Sequence, residues 1–136
     1  MSLKVSAIEH IGIAVKSLEI SIPIFETLLG SKCYKVEDVQ SQNVRTAFFD
    51  VGGVKLELLE SLEKNSSIEK FINKRGEGLH HIALKVENTD ESLTEASKLG
   101  FDLIDIHSRI GADNLKIGFL DPKTTNKVLV EITSVI

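Results

Sequence analysis

The sequence contains little cysteine, little proline and no Gly/Ser-rich tract, and each shortage excludes a class of protein. The single cysteine, Cys33, cannot form an internal disulfide, which excludes a disulfide-stabilised scaffold and predicts a reducing compartment. The 136 residues contain only two prolines, Pro23 and Pro122, and nothing in the composition indicates a linker between independent domains. We therefore expect a single domain over residues 1–136.

Long apolar runs and excess positive charge are also missing. No run approaches the roughly 20 apolar residues of a bilayer-spanning helix. The first twelve residues carry Glu9 and His10 where a signal peptide has an unbroken apolar stretch, so we expect a cytoplasmic protein without membrane contact. The net charge is −4, which provides no global positive field for nucleic acid or anionic lipid. With 42% apolar and 26% charged residues, the composition is that of a soluble globular domain.

What the sequence does contain is an internal repeat. HIGIAV at 10–15 matches HIALKV at 81–86, and each is followed by apolar residues at helical spacing that end at a glycine, Gly30 or Gly100. Gly52-Gly53 predicts a hairpin. Three strand-like runs follow each glycine, at 32–39, 44–51 and 54–60 in the first copy and at 101–107, 114–120 and 127–133 in the second.

The repeat predicts an α+β fold of two tandem βαβββ modules, at about residues 5–62 and 77–136. Two such modules would form a curved, eight-stranded mixed sheet around a cleft. Residues 65–75 predict a short helical connector, because Ser66 and Glu69 have the spacing of a capping box.

Ionisable residues recur at equivalent places in the two copies. His10 and His81 open the first strand of each copy, and Glu57 and Glu131 lie in the middle of the last strand between apolar neighbours. One such glutamate is usually the solvent-facing residue of an amphipathic strand, and one such histidine is usually a core residue. Because both recur as pairs, we expect two imidazoles and two carboxylates to meet in the cleft.

Two imidazoles and two carboxylates suit a borderline divalent ion and leave positions open for water or substrate, which is typical of a catalytic metal site. No cysteine ligand and no HExxH helix accompany them, which argues against a zinc finger and a zincin peptidase. The residue types alone leave cobalt, nickel, manganese, zinc and iron open.

These motifs resemble the vicinal oxygen chelate superfamily and, within it, the methylmalonyl-CoA epimerase family. The resemblance rests on EHIGIAV at 9–15, LELLE at 56–60, the connector SSIEKFI, GEGLHHIA at 76–83, RIGA at 109–112 and VLVE at 128–131. It implies the glyoxalase-like fold, a homodimer and a metal held by His10, Glu57, His81 and Glu131. It also implies interconversion of (R)- and (S)-methylmalonyl-CoA by α-proton abstraction through a metal-stabilised enolate. Cobalt is the implied metal, with zinc, nickel or manganese as alternatives.

The resemblance further suggests roles around the metal. Glu131 is expected to be both a ligand and the base on one face of the CoA thioester. Some epimerases carry a second glutamate base where this chain has Thr46, so the proton carrier for the other face stays open. The expected substrate-binding residues are His80, Thr46, Lys74, Arg75 and Arg109, and Lys70, Lys123 and Lys127 are further candidates for contact with the CoA phosphates.

Two alternatives stay open at this point. Glyoxalase I can use the same four ligand types on a hemithioacetal of glutathione. A metal-free binding or resistance protein of the same fold would only sequester a small molecule. The connector, the double histidine and RIGA favour the epimerase family, and the four ligand-type residues argue against metal-free binding.

Overall fold

The computed structural model describes residues 2–136, which contain eight strands and three α-helices. The elements are β1 (Ala7–Ala14), α1 (Leu18–Leu29), β2 (Lys35–Val39), β3 (Val44–Val51), β4 (Val54–Ser61), α2 (Ser67–Arg75), β5 (Gly78–Lys85), α3 (Thr89–Lys98), β6 (Arg109–Ile110), β7 (Lys116–Leu120) and β8 (Val130–Ser134). Both copies of the repeat therefore have the predicted βαβββ order. None of the helices in the described residues is both long and apolar enough to cross a bilayer.

The chain divides into two units. The first unit is His10–His80, and the second unit is His81–Ile136 together with the residues that precede His10. In both units parallel and antiparallel pairs occur side by side, which confirms the predicted mixed pairing of the strands.

In the first unit, α1 covers one face of the strands. Strand β4 pairs in parallel with β1 and antiparallel with β3, and β3 pairs antiparallel with β2. Phe49 and Leu58 pack with Leu18 of α1 in the core of this unit. Because side chains alternate along a strand, Phe48 and Glu57 lie on the opposite face, which we call the ligand face.

The second unit has the same arrangement. Strand β8 pairs in parallel with β5 and antiparallel with β7, and β7 pairs with β6. Ile132 packs with Leu93 of α3 in the core, so Glu131 and Phe119 lie on the ligand face of this unit. Gly118 of β7 lies directly below α3. A Cβ at this position would come within 2.7 Å of Leu93 Cδ1, and the glycine therefore lets the helix approach the sheet closely.

Local signals define the helix ends as the sequence predicts. Gly30 follows α1 with a left-handed φ of 67°, and its N–H donates to the Glu26 carbonyl. Ser66 caps α2, since its hydroxyl accepts the N–H of Glu69. The Glu69 carboxylate accepts the N–H of Asn65, one residue further back than in the usual capping box. The helix α2 thus lies within the stretch 65–75, where the sequence predicts a helical connector.

One predicted strand, at 101–107, is wrong. The N–H groups of Ile104 and Asp105 both donate to the carbonyl of Phe119, and the Asp105 carboxylate accepts the N–H of Phe119 at 2.8 Å. The Asp105 side chain therefore accepts a hydrogen bond that a backbone carbonyl would accept in a regular strand. Regular pairing with β7 starts only at β6. The other five runs are confirmed, with β2, β7 and β8 starting two or three residues later than predicted.

Candidate functional site

The first imidazole–carboxylate pair lies on the ligand face of the first unit. His10 Nδ1 is 3.2 Å from Glu57 Oε2, and the two side chains are only 4% and 2% exposed. Strands β1 and β4 run in parallel with Gly12 opposite Glu57, so no side chain on β1 lies between the imidazole and the carboxylate. Phe48 is the register partner of Glu57 on β3 and is completely buried. The sheet register therefore holds this pair in place, shielded from solvent.

The second pair lies on the ligand face of the second unit. His81 Nε2 is 3.5 Å from Glu131 Oε1, and the side chains are 4% and 3% exposed. Phe119 is the register partner of Glu131 on β7, and its ring meets the His81 ring edge-to-face at 5.7 Å between centroids. The second unit thus presents a histidine, a glutamate and a phenylalanine in the same relation as the first.

The donor chemistry of the two pairs fits a divalent metal ion. Each pair offers an imidazole nitrogen and a carboxylate oxygen, which are the ligands that cobalt, nickel, zinc and manganese accept in proteins. A buried carboxylate without a cation is costly, and a neutral imidazole contributes at most one N–H to offset that cost. The structure therefore has groups that could bind a metal.

His80 has a different environment from His81, because neighbouring side chains of a strand point to opposite faces. Its ring packs edge-on against Phe71 of α2, with 4.8 Å between centroids, and the Arg75 guanidinium lies 5.8 Å from the same Phe71 ring. Burial, with a smaller contribution from the charge of Arg75, lowers the pKa of His80 to about 4. The imidazole of His80 is therefore neutral at physiological pH. A role of His80 or Arg75 in substrate binding stays a prediction.

The remaining predicted substrate-binding residues fall in three places. Thr46 is fully buried on the ligand face of β3, and its hydroxyl has no hydrogen-bond partner among residues 2–136. Arg109 lies beside the second pair, with Cζ 5.8 Å from the Phe119 ring centroid and Nε 3.4 Å from Asp105 Oδ1. Lys74 is exposed in the last turn of α2.

Lys35 and the two phenylalanines are the parts of this site that the sequence analysis missed. Lys35 Nζ lies 4.6 Å from the Phe48 ring centroid and 3.6 Å from Glu37 Oε1. Phe48 lies on the strand before the one that carries Glu57, and Phe119 lies on the strand before the one that carries Glu131. Aligning these neighbouring strands of the two copies would therefore have revealed both phenylalanines. Nothing in the repeat indicates Lys35, since β2 and β6 have no residues in common at equivalent positions.

Comparison with known proteins agrees with this fold. The chain belongs to the glyoxalase/bleomycin resistance protein/dioxygenase superfamily, whose family model matches residues 9–119. This match confirms the predicted glyoxalase-like fold. Similarity to solved methylmalonyl-CoA epimerases confirms the resemblance to that family.

Three relatives cover nearly the whole chain. An uncharacterised Bacillus subtilis protein, YqjC, is 43% identical over 125 residues, which are 92% of this chain and 89% of that protein. The crystal structure of methylmalonyl-CoA epimerase from Mycobacterium tuberculosis has a TM-score of 0.93 at 30% identity, over 100% of this chain and 91% of that one. A methylmalonyl-CoA epimerase in complex with methylmalonyl-CoA and NH4+ has a TM-score of 0.90 at 29% identity, over 97% of this chain and 96% of that one.

Proposed function

We propose that this protein is a metal-dependent methylmalonyl-CoA epimerase and that His10, Glu57, His81 and Glu131 bind one divalent ion. The observation that carries the proposal is the duplicated, buried histidine–glutamate pair, with separations of 3.2 and 3.5 Å. Either pair alone has too few ligands, because catalytic zinc and non-haem iron sites use three protein ligands. One ion that both pairs bind would meet this requirement and leave positions for substrate oxygens.

The reaction requires a proton to leave C2 of the substrate, where it lies between a thioester and a carboxylate. An ion bound at the four ligands would act as a Lewis acid toward the substrate oxygens. We assign Glu131 as the base on one face of C2. Its carboxylate faces Phe119, and this apolar wall keeps bulk water from the base. The Thr46 hydroxyl can hydrogen-bond to substrate, but an alcohol is too weak a base to accept this proton at neutral pH.

The anionic parts of a CoA thioester need cationic partners. Arg109 lies over the ring of Phe119, the register partner of Glu131, and we assign it to an anionic group of the acyl moiety. Lys74 and Arg75 end α2 and are exposed, as expected for residues that contact the CoA phosphates. The solved epimerase complex with methylmalonyl-CoA supports a CoA thioester as the substrate class. A cytoplasmic location and a homodimer stay predictions from the sequence.

Proton exchange at C2 tests the proposed function. The protein is freed of metal with a chelator, reloaded with cobalt, nickel, manganese or zinc, and incubated with methylmalonyl-CoA in deuterium oxide. We expect deuterium to enter C2 and the epimers to interconvert only with metal, and Glu131→Gln to slow both at least about 100-fold.

A second substrate separates the alternatives. Conversion of the methylglyoxal–glutathione hemithioacetal, without exchange on methylmalonyl-CoA, would assign glyoxalase I activity instead. Turnover of neither substrate by the metal-loaded protein would favour a binding protein of the same fold.

A further inference from the structure

In each unit a cation lies over the phenylalanine that faces the glutamate. In the first unit, Lys35 Nζ is 4.6 Å from the centroid of Phe48, the register partner of Glu57. In the second unit, the Arg109 guanidinium is 5.8 Å from the centroid of Phe119, the register partner of the other glutamate. The order cation, aromatic ring, carboxylate, imidazole therefore occurs twice, once on each ligand face.

The two cations are held in place and are not free surface side chains. The Lys35 and Arg109 side chains are 38% and 35% exposed, and each has a carboxylate partner, Glu37 at 3.6 Å and Asp105 at 3.4 Å. The ring face attracts the positive charge, and the carboxylate keeps the cation above the ring. The half-exposed Lys35–Glu37 pair adds little to stability, so stability alone does not account for the position of this lysine.

We propose that Lys35 is a substrate-binding residue, the counterpart of Arg109 in the first unit, and that it recognises the free carboxylate of a dicarboxylic acyl thioester. This inference rests on the proposed function and adds the residue that selects a carboxylated acyl group over a neutral one. Only the ring of Phe48 lies between the Lys35 ammonium and strand β4, which carries Glu57. The phosphates of CoA lie beyond the whole pantetheine chain from the acyl group, and are therefore assigned to other cations.

Two variants of Lys35 separate charge from packing. Lys35→Met keeps an unbranched stem over Phe48 and removes the charge, whereas Lys35→Arg keeps a cation. Lys32→Met is the matched control, because Lys32 is an exposed lysine in the loop that precedes β2. All variants are compared by circular dichroism before kinetics, so that a loss of fold is recognised.

The kinetic test uses two substrates, methylmalonyl-CoA and methylmalonyl-pantetheine, which has no phosphates. We expect Lys35→Met to lower kcat/KM about tenfold or more on both, mainly through KM, because a charge-assisted contact to the shared carboxylate is lost. Lys35→Arg should recover most of this loss, and Lys32→Met should match the wild type. A defect confined to the CoA substrate would overturn the assignment in favour of a phosphate contact. Unchanged kcat/KM in Lys35→Met would overturn it altogether.

Binding of malonate keeps this test separate from the proposed function. The dianion is titrated calorimetrically into metal-loaded wild type, Lys35→Met and Lys35→Arg. About tenfold weaker binding to Lys35→Met alone supports the role of Lys35 even if the wild type does not epimerise methylmalonyl-CoA. Equal affinity of the wild type and Lys35→Met, or no malonate binding by either, contradicts it.

Discussion

Replacing Glu131 by glutamine should change stability in opposite directions without and with a metal ion. In metal-free protein the Glu131 carboxylate is buried 3.5 Å from His81, and glutamine keeps its shape while removing the charge. Burying an ionised carboxylate without a cationic partner costs much more than burying a neutral amide of the same shape. We therefore expect Glu131→Gln to raise the free energy of unfolding of the metal-free protein by about 1 kcal/mol.

With metal the sign reverses, because an ion that binds only the folded state adds to its stability. At a metal concentration 100 times the wild-type Kd this gain is about 2.7 kcal/mol. At this chain length 1 kcal/mol corresponds to roughly 3–5 °C in Tm, so the wild type should gain about 8–13 °C. If the neutral amide weakens binding about 100-fold, the variant gains only about 0.4 kcal/mol at the same concentration, which is 1–2 °C.

Thermal melts followed by circular dichroism, in chelator and in metal, measure both effects. Glu87→Gln is the matched control, since Glu87 is an exposed glutamate of the same unit. It should leave both Tm values as in the wild type. A metal-free Glu131→Gln protein that melts well below the wild type, or a metal-induced shift as large as that of the wild type, would refute this reasoning.

Three further substitutions test other parts of the structure. Gly118→Ala should destabilise the fold by about 1–3 kcal/mol, because its Cβ would lie 2.7 Å from Leu93 Cδ1, and an unchanged denaturation midpoint would contradict this packing. Thr133→Val should raise the unfolding free energy of the metal-free protein by about 1 kcal/mol, since the buried hydroxyl has no hydrogen-bond partner in residues 2–136; a lower value would count against it. Hydrogen bonds from the Ser108 N–H and hydroxyl hold the pKa of Asp90 below its ordinary value of 3.8. These hydrogen bonds stabilise the folded state fully above about pH 3.8, and the stabilisation is lost as the pH falls through the lowered pKa of Asp90. The Tm of Asp90→Asn should therefore fall less than the Tm of the wild type between pH 5 and pH 2.

Periodicity and turn residues predict the elements whose structure is determined locally. Strand β3 spans the predicted residues 44–51, and α1 ends where Gly30 takes its left-handed conformation. The run at 101–107 fails because the Asp105 carboxylate accepts the N–H of Phe119, fourteen residues away. Its alternating apolar residues resemble a strand, and a hydrogen bond at that distance in sequence leaves no mark on the pattern. Leu28 fits the helical spacing of α1 but is exposed, because spacing does not define the width of the buried face.

The candidate site was also predictable only in part. The repeat predicted the four ligand-type residues, since each occupies the same place in both copies. It did not predict Lys35 over Phe48, because that contact depends on which residues of β2 and β3 face each other across the sheet. The different surroundings of His80 and His81 follow from strand alternation, but the partner of His80, Phe71 of α2, is a tertiary contact.

The central claim is that both histidine–glutamate pairs bind the same ion, and metal stoichiometry tests it most directly. Cobalt or zinc is titrated calorimetrically into chelator-treated wild type, His10→Gln and His81→Gln, and bound metal is measured after desalting. We expect one ion per wild-type chain, and weakening of that one site by either substitution, although the two histidines belong to different units. Two ions per chain, of which each variant loses only one, or no bound ion at all, would contradict the account.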